Sequence, residues 1–141
     1  MGQILAHHLE VPDYRIGSDV EHFMATEFVD AVRSCLSSGG FATSKDGREA
    51  GGDFLVGFVG RLFMVQEDFA VTEPANSFAA VGSGWQLALG AMAVSTRRAP
   101  AKRIAAALGA AAQMHSYVRE PFCIRAMSWG TVQGHLRAYE I

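Results

Sequence analysis

Cysteine, net charge and strongly apolar runs are all scarce in this sequence, and each shortage removes a class of protein. Cys35 and Cys123 are the only cysteines among 141 residues, too few and too far apart for a secreted disulfide framework. Twelve basic against fourteen acidic residues leave a net charge of −2. That balance lacks the positive footprint of a nucleic-acid binder, so no nucleic-acid partner is expected. Charged residues make up only 18% of the chain while half of it is hydrophobic, which is too apolar for a disordered tail or linker. Met1-Gly2-Gln3-Ile4-Leu5 has no basic stretch leading into a long apolar one, so no signal peptide is expected. Ala6 stands where a myristoylation site wants Ser or Thr. The expectation is one cytoplasmic domain spanning residues 1–141.

A membrane hairpin is the reading that the remaining absences invite. Pro74 to Thr96 and Ile104 to Val118 carry no charge, and the basic Arg97 to Arg103 lies between them. The first segment, however, contains Pro74, Asn76, Ser77, Gly82, Ser83, Gly84 and Gln86, and the second is mostly alanine with Gln113, His115 and Ser116. Neither is the run of about 20 strongly apolar residues that a spanning helix needs. No membrane partner is expected.

Periodicity sets out the elements. Residues 1–10 read as one or two helical turns, broken at Val11-Pro12 because the residue before a proline is pushed out of helical geometry. Ser18-Asp19-Val20-Glu21 has the form of a capping box, and Phe23, Met24, Phe28, Val32, Cys35 and Leu36 then recur at helical spacing to Gly39-Gly40. A helix over about 19–38 follows. Residues 43–52 form a polar loop. Phe54 to Val59 and Leu62 to Val65 alternate with period two around a Gly60-Arg61 turn. Both strands are apolar on both faces, so both faces must be covered. Phe69–Thr72 and Phe78–Val81 suggest two more short strands. Gly82-Ser83-Gly84 leads into a helix of about 85–97 with Trp85, Leu89, Met92 and Ala93 as its stripe. Pro100 opens another, reaching about Val118. Pro121 ends it, Phe122–Met127 reads as a last strand, and 130–141 is a tail. Helix, four strands, two helices and a strand make an α+β layered fold with antiparallel hairpins.

Gly82-Ser83-Gly84 holds the candidate chemistry, because backbone amides gather where a strand enters a helix and bind anions there. Leu87 occupies the third glycine position of a dinucleotide fingerprint, and Val81 stands where the first glycine of a nucleophile elbow belongs. The plainer reading is a tight turn whose Ser83 hydroxyl caps the helix. His7, His8 and Glu10 are adjacent in sequence rather than on one helical face, and neither cysteine has a metal-spaced partner. No metal and no cofactor are expected. His115 reads as a satisfied packing residue and Cys35 as an inert core thiol.

The segments Phe54-Leu55-Val56-Gly57-Phe58-Val59-Gly60-Arg61-Leu62-Phe63, Phe78-Ala79-Ala80-Val81-Gly82-Ser83-Gly84 and Ala88-Leu89-Gly90-Ala91-Met92 resemble the proteasome β-subunit/HslV peptidase family. The likeness is to its compact bacterial and phage-type members, from about residue 1 to 128. The resemblance implies a four-layer αββα sandwich of the N-terminal-nucleophile hydrolases, self-association into a ring or stacked assembly, and a peptide substrate. It also implies that Gly82, Ser83 and Gly84 position the N-terminus. Ser116 matches the serine of a supporting Asp-x-x-Ser, whereas Gln113 departs from the acid.

In that family a mature N-terminal threonine attacks the peptide carbonyl while its own α-amine takes the proton. Met1-Gly2-Gln3-Ile4-Leu5 aligns inside the family's first helix, after the strands that carry the threonine, the early aspartate and the lysine. The lysines here, Lys45 and Lys102, fall in the wrong part of the chain order. The resemblance therefore implies supporting residues Ser83 and Ser116, no catalytic residue in these 141, and three alternatives. These are a threonine peptidase subunit whose start lies further upstream, a non-catalytic assembly or binding paralogue, and a split hydrolase completed by a partner chain that supplies the missing strands.

Overall fold

The computed structural model describes the backbone of residues 1–41, 43–45, 48–132 and 135–140, and the side chains of 1–41 and 50–127. Helix α1 (Gly2–His8) packs on a long helical segment formed by α2 (Val20–Phe23), a π-helical stretch Met24–Phe28 and α3 (Val29–Ser38). The cap is Asp19, whose carboxylate accepts from the amides of Glu21 and His22 at 2.9 and 3.2 Å. This is one residue later than the Ser18 capping box expected from sequence. Gly39 lets α1 approach, since a Cβ there would lie 2.8 Å from Ile4.

Among the described residues the strands fall into three antiparallel sheets. Strands β1 (Thr43–Lys45) and β2 (Arg48–Ala50) pair where a polar loop was expected, with residues 46 and 47 outside the described ones. Strands β3 (Phe54–Phe58), β4 (Arg61–Val65) and β5 (Val71–Thr72) form the central sheet in that order. Strands β6 (Met127–Val132) and β7 (His135–Glu140) make a last hairpin from much of the expected tail. Phe78–Val81 is not a strand, and the strand expected over 122–127 begins at Met127 instead. Helices α4 (Trp85–Val94) and α5 (Pro100–Met114) stop three to four residues short of their expected ends.

Among the described residues two hydrophobic cores result. Phe23, Met24, Phe28, Val29, Val32 and Leu36 pack on Phe63, Val65 and Phe69, with Phe54, Val56 and Phe58 beside them. These sheet residues are the odd positions of β4 and the even positions of β3, which the register Val56↔Phe63 places on one face. Phe63 is 1% exposed. The second core is small: Ala88 and Met92 of α4 against Ala107 of α5, with Phe78, Ala80, Leu89 and Ala91 around them. Alanines let two helices approach closely. Arg103 ties the pair, donating from Nε to the Met92 carbonyl at 2.9 Å and lying 4.3 Å from the Phe78 ring centre. The stripe of α4 therefore runs through Ala88 and Met92, whereas Trp85 is 44% exposed.

The β3–β4 turn is Val59-Gly60, with both residues at positive φ (50° and 72°), one residue earlier than the Gly60-Arg61 turn expected. Two positive φ values define the primed turn that suits the twist of a hairpin, and its first position favours Asn. A β-branched residue is strained there. Val59→Asn should therefore stabilise the fold, by about 1 kcal/mol, measured as a higher urea midpoint at unchanged slope. Across the same turn Arg61 makes a bidentate ion pair with Glu73 and approaches Glu21 at 3.7 Å. The side-chain hydrogen bond between Arg61 and Glu73 holds the Glu73 carboxyl below its ordinary range. A carboxylate depressed in the folded state stabilises above its unfolded pKa, roughly pH 4.3 for glutamate, and loses that contribution as pH falls through the folded value. Melting temperature measured from pH 6 downwards should fall less steeply below about pH 4.3 for Glu73→Gln than for the parent.

Candidate functional site

The Gly82-Ser83-Gly84 turn works through its glycines. Gly82 and Gly84 lie at φ 83° and 77°, a region that costs any other L-residue about 1–2 kcal/mol. Gly84 is also buried. A Cβ there would sit 3.2 Å from Val118, 3.3 Å from Ala111 and 3.5 Å from His115, so the turn rests on the last turn of α5 and the loop after it. The backbone closes through Trp85 N donating to Gly82 O at 3.3 Å and Ala88 N to Gly84 O at 3.1 Å.

The N-cap of α4 is Gly84, and no side chain caps it. Ser83 is thus not the helix cap that the plainer sequence reading expected, and it stands exposed. Ser116 is exposed just beyond α5, where its carbonyl accepts from Arg119 Nε at 3.1 Å. Among the described residues no hydrogen bond joins Ser83, Gln113 and Ser116. Gly84 brings their two segments together without pairing their side chains.

His115 is half-buried, its Nδ1 enclosed and without a hydrogen-bond partner among the described residues, its ring 5.9 Å from that of Tyr117. It is a packing residue, as expected, but not a satisfied one. Periodicity carried no sign of this, because the missing partner depends on where the loop after α5 travels. Cys35 is half-buried, its Sγ 3.9 Å from the Ile4 carbonyl oxygen under α1. His7 and His8 are exposed on α1. Among the described residues no three of His, Cys, Asp and Glu converge as metal ligands, and no helix is long and apolar enough to cross a membrane.

Two cavities open between the central sheet and the α4–α5 hairpin. One, of about 290 Å³, touches Leu55 of β3, Val81, Ser83 and Gly84 of the turn, and Met92 and Ala107 of the helices. The other, of about 650 Å³, runs from Met64 and Thr72 to Trp85 and Leu89, with Asp53, Glu67 and Asp68 at its border. Asp53 accepts from the Glu67 amide at 2.9 Å and Asp68 from the Ala70 amide at 3.0 Å, so these two carboxylates organise the loop before β5.

No family model matches the sequence, and no curated protein matches it. Among solved structures the chain is similar to Thiobacillus denitrificans BPH, with a TM-score of 0.57 and 21% sequence identity. The match covers 99% of this chain and 66% of that one, so the chain spans just under two thirds of the neighbour's length. At that identity the likeness is one of fold.

The seat of Gly84 predicts a contrast within the turn. Gly82→Ala meets open space and should cost about 1 kcal/mol for its positive φ alone. Gly84→Ala adds the displacement of α5 and should cost about 2–4 kcal/mol, from the same conformational penalty plus overpacking. Paired denaturant melts of the two variants measure the difference.

Proposed function

We propose that these residues form the later part of a proteasome/HslV-like, threonine-type peptidase subunit, cytoplasmic and self-associating, with Gly82-Ser83-Gly84 as the wall that positions a nucleophilic N-terminus. The supporting observation is the glycine turn seated on α5 beside an apolar cavity, in the order hairpin, return segment, turn, helix, helix that the family resemblance implies. Ser83 has a hydroxyl that no helix-capping role consumes, which leaves it available to a group entering from that cavity. The nucleophile comes with a strand-rich segment ahead of α1, and the four-layer αββα sandwich is complete only when that segment is present. Its second sheet would cover the face of β3–β4 that Leu55 and Met64 present to the cavities.

A split hydrolase, with those strands on another chain, is the second reading, and the same cavities favour it over a paralogue that functions without them. Peptide is the substrate class in either case, with no cofactor: the α-amine of the attacking threonine takes the proton from its own hydroxyl.

The nucleotide sequence ahead of the Met1 codon tests the proposal. An in-frame extension encoding strands and a processable threonine supports the single-chain form, and a strand-rich partner that co-purifies supports the split form. The 141-residue polypeptide alone should neither cleave a fluorogenic peptide nor react with a peptide epoxyketone. In the completed protein Ser83→Ala should slow turnover roughly tenfold, the scale of one lost positioning hydrogen bond, while the melting temperature stays nearly unchanged because the hydroxyl is exposed and caps no helix. Epoxyketone-sensitive cleavage by the 141 residues alone would overturn the reading.

A further inference from the structure

Charge is sorted along this chain. Residues 1–73 hold twelve of the fourteen acidic residues and five of the twelve basic ones. From Pro74 to Arg119 there are five basic residues and no acidic one. Four of the five, Arg97, Arg98, Lys102 and Arg103, gather where α4 turns into α5. That turn is the positive end of α5, which has no acidic residue in its first turn and no side-chain cap. The cations there oppose one another and the helix dipole. Arg103 is engaged by the Met92 carbonyl and the Phe78 ring. Arg97, Arg98 and Lys102 are exposed, with no ion-pair partner among the described residues. A local rule broken with no compensation inside the fold marks a contact outside it. The complementary surface lies in the helical layer on the other face of the central sheet. A cavity of about 470 Å³ opens there between α1 and α3. Ala31, Ser34, Cys35 and Ser38 form its α3 wall, one helical face of small side chains, and Ile4 and Glu10 line it from the other segment. Among the described residues no lysine or arginine borders it. Glu10 follows directly on Leu9, the C-cap of α1, and so adds a carboxylate at the negative end of that helix. Glu27 is exposed one turn before Ala31.

We propose that the basic α4–α5 turn of one copy docks in the α1–α3 groove of a second copy, setting Arg97, Arg98 and Lys102 against Glu10 and Glu27. The contact joins two different surfaces, so it passes head to tail from copy to copy instead of closing as a twofold pair. Complementary charge gives it direction and partner choice. Val94, 88% exposed beside the turn, and the Ile4 and Ala31 walls of the groove supply apolar surface. The assignment rests on the self-association in the proposed function and on none of its peptidase chemistry.

Sedimentation velocity on the 141-residue protein tests this. Species larger than a dimer should form at about 0.1 M salt, where charges are felt over about 10 Å, and association should weaken at least tenfold at about 1 M, where that range is about 3 Å. The triple variant Arg97→Glu, Arg98→Glu, Lys102→Glu should sediment as a monomer with the circular dichroism of the parent. So should the double variant Glu10→Lys, Glu27→Lys. Mixed in equal amounts the two should associate again, because each keeps the surface that the other has lost. Ser34→Trp, which fills the groove and leaves every charge in place, should also give a monomer. Association that survives either charge reversal, a mixture that stays monomeric, or Ser34→Trp that assembles like the parent overturns the proposal. A parent protein that is monomeric at millimolar concentration overturns it too, and would assign the basic turn to a foreign acidic partner. Mass is read without peptide, so failure here is distinct from failure of the peptidase reading, and assembly that survives both reversals places the self-association on another surface.

Discussion

The structure is governed by one constraint: a sheet that is apolar on both faces needs a cover on both. Helices α2 and α3 cover one face of β3–β4 closely, and the aromatic contacts are dense there. Tyr14 meets Phe23 and Phe58 edge-on at 5.1 and 5.2 Å, and Phe23 stacks on Phe58 at 5.4 Å. On the other face Leu55 and Met64 are half-buried and border cavities. The α4–α5 hairpin beyond them holds itself together through a core of small residues. Burial at about 25 cal/mol per Å² stabilises only where surfaces meet, so the first face anchors the fold and the second contributes less.

The composition of α4 belongs to the same pattern. Trp-Gln-Leu-Ala-Leu-Gly-Ala-Met-Ala-Val has no charged residue and no polar face, and a helix apolar all round is ordinarily buried all round. Here Ala88 and Met92 are buried while Val94 is 88% exposed and Trp85 44%. At the far end of the hairpin, Met114 and Tyr117 are exposed as well. Helix α4 is therefore suited to a middle position, with a helix on one side and further structure on the other. Arg103 fixes the end of this pair with a guanidinium–carbonyl bond, favourable at a helix C-terminus, yet keeps one nitrogen enclosed and without a partner among the described residues.

Much of this was legible in the sequence where a single local rule governs. The 19–38 helix, the 54–65 hairpin and the 85 and 100 helix starts follow from period and from Pro100, and the structure has them within a few residues. Errors fell where tertiary contact decides. The turn shifted to Val59-Gly60 because pairing of Phe58 with Arg61 outweighs the preference against Val at positive φ. Phe78–Val81 reads as a strand, but its hydrophobic residues serve the α4–α5 core and the cavities, with no ladder beside them. Residues 43–50 look like loop by composition, yet β1 and β2 pair, and backbone pairing needs no apolar side chain. Ser83 looked like a cap, but Gly84 takes that place because only glycine fits between the turn and α5.

The turn and the open sheet face, taken together, describe one region rather than two. Leu55 and Ser83 border the same cavity, so the open face of the sheet and the glycine turn meet at one place. On the proposed reading, an exposed hydroxyl, two glycines that keep side chains out of the way and the cavity beside them are parts of a site that would hold extended polypeptide. Such a site gains affinity from main-chain bonds and selectivity from the pocket beside alternate residues. Positioning of that kind is worth having only if the strand's end, or a neighbouring group, must be placed accurately. On the same reading, the physical link between the scaffold and a reacting N-terminus is the glycine turn, where the exposed Ser83 would meet the group that enters the cavity.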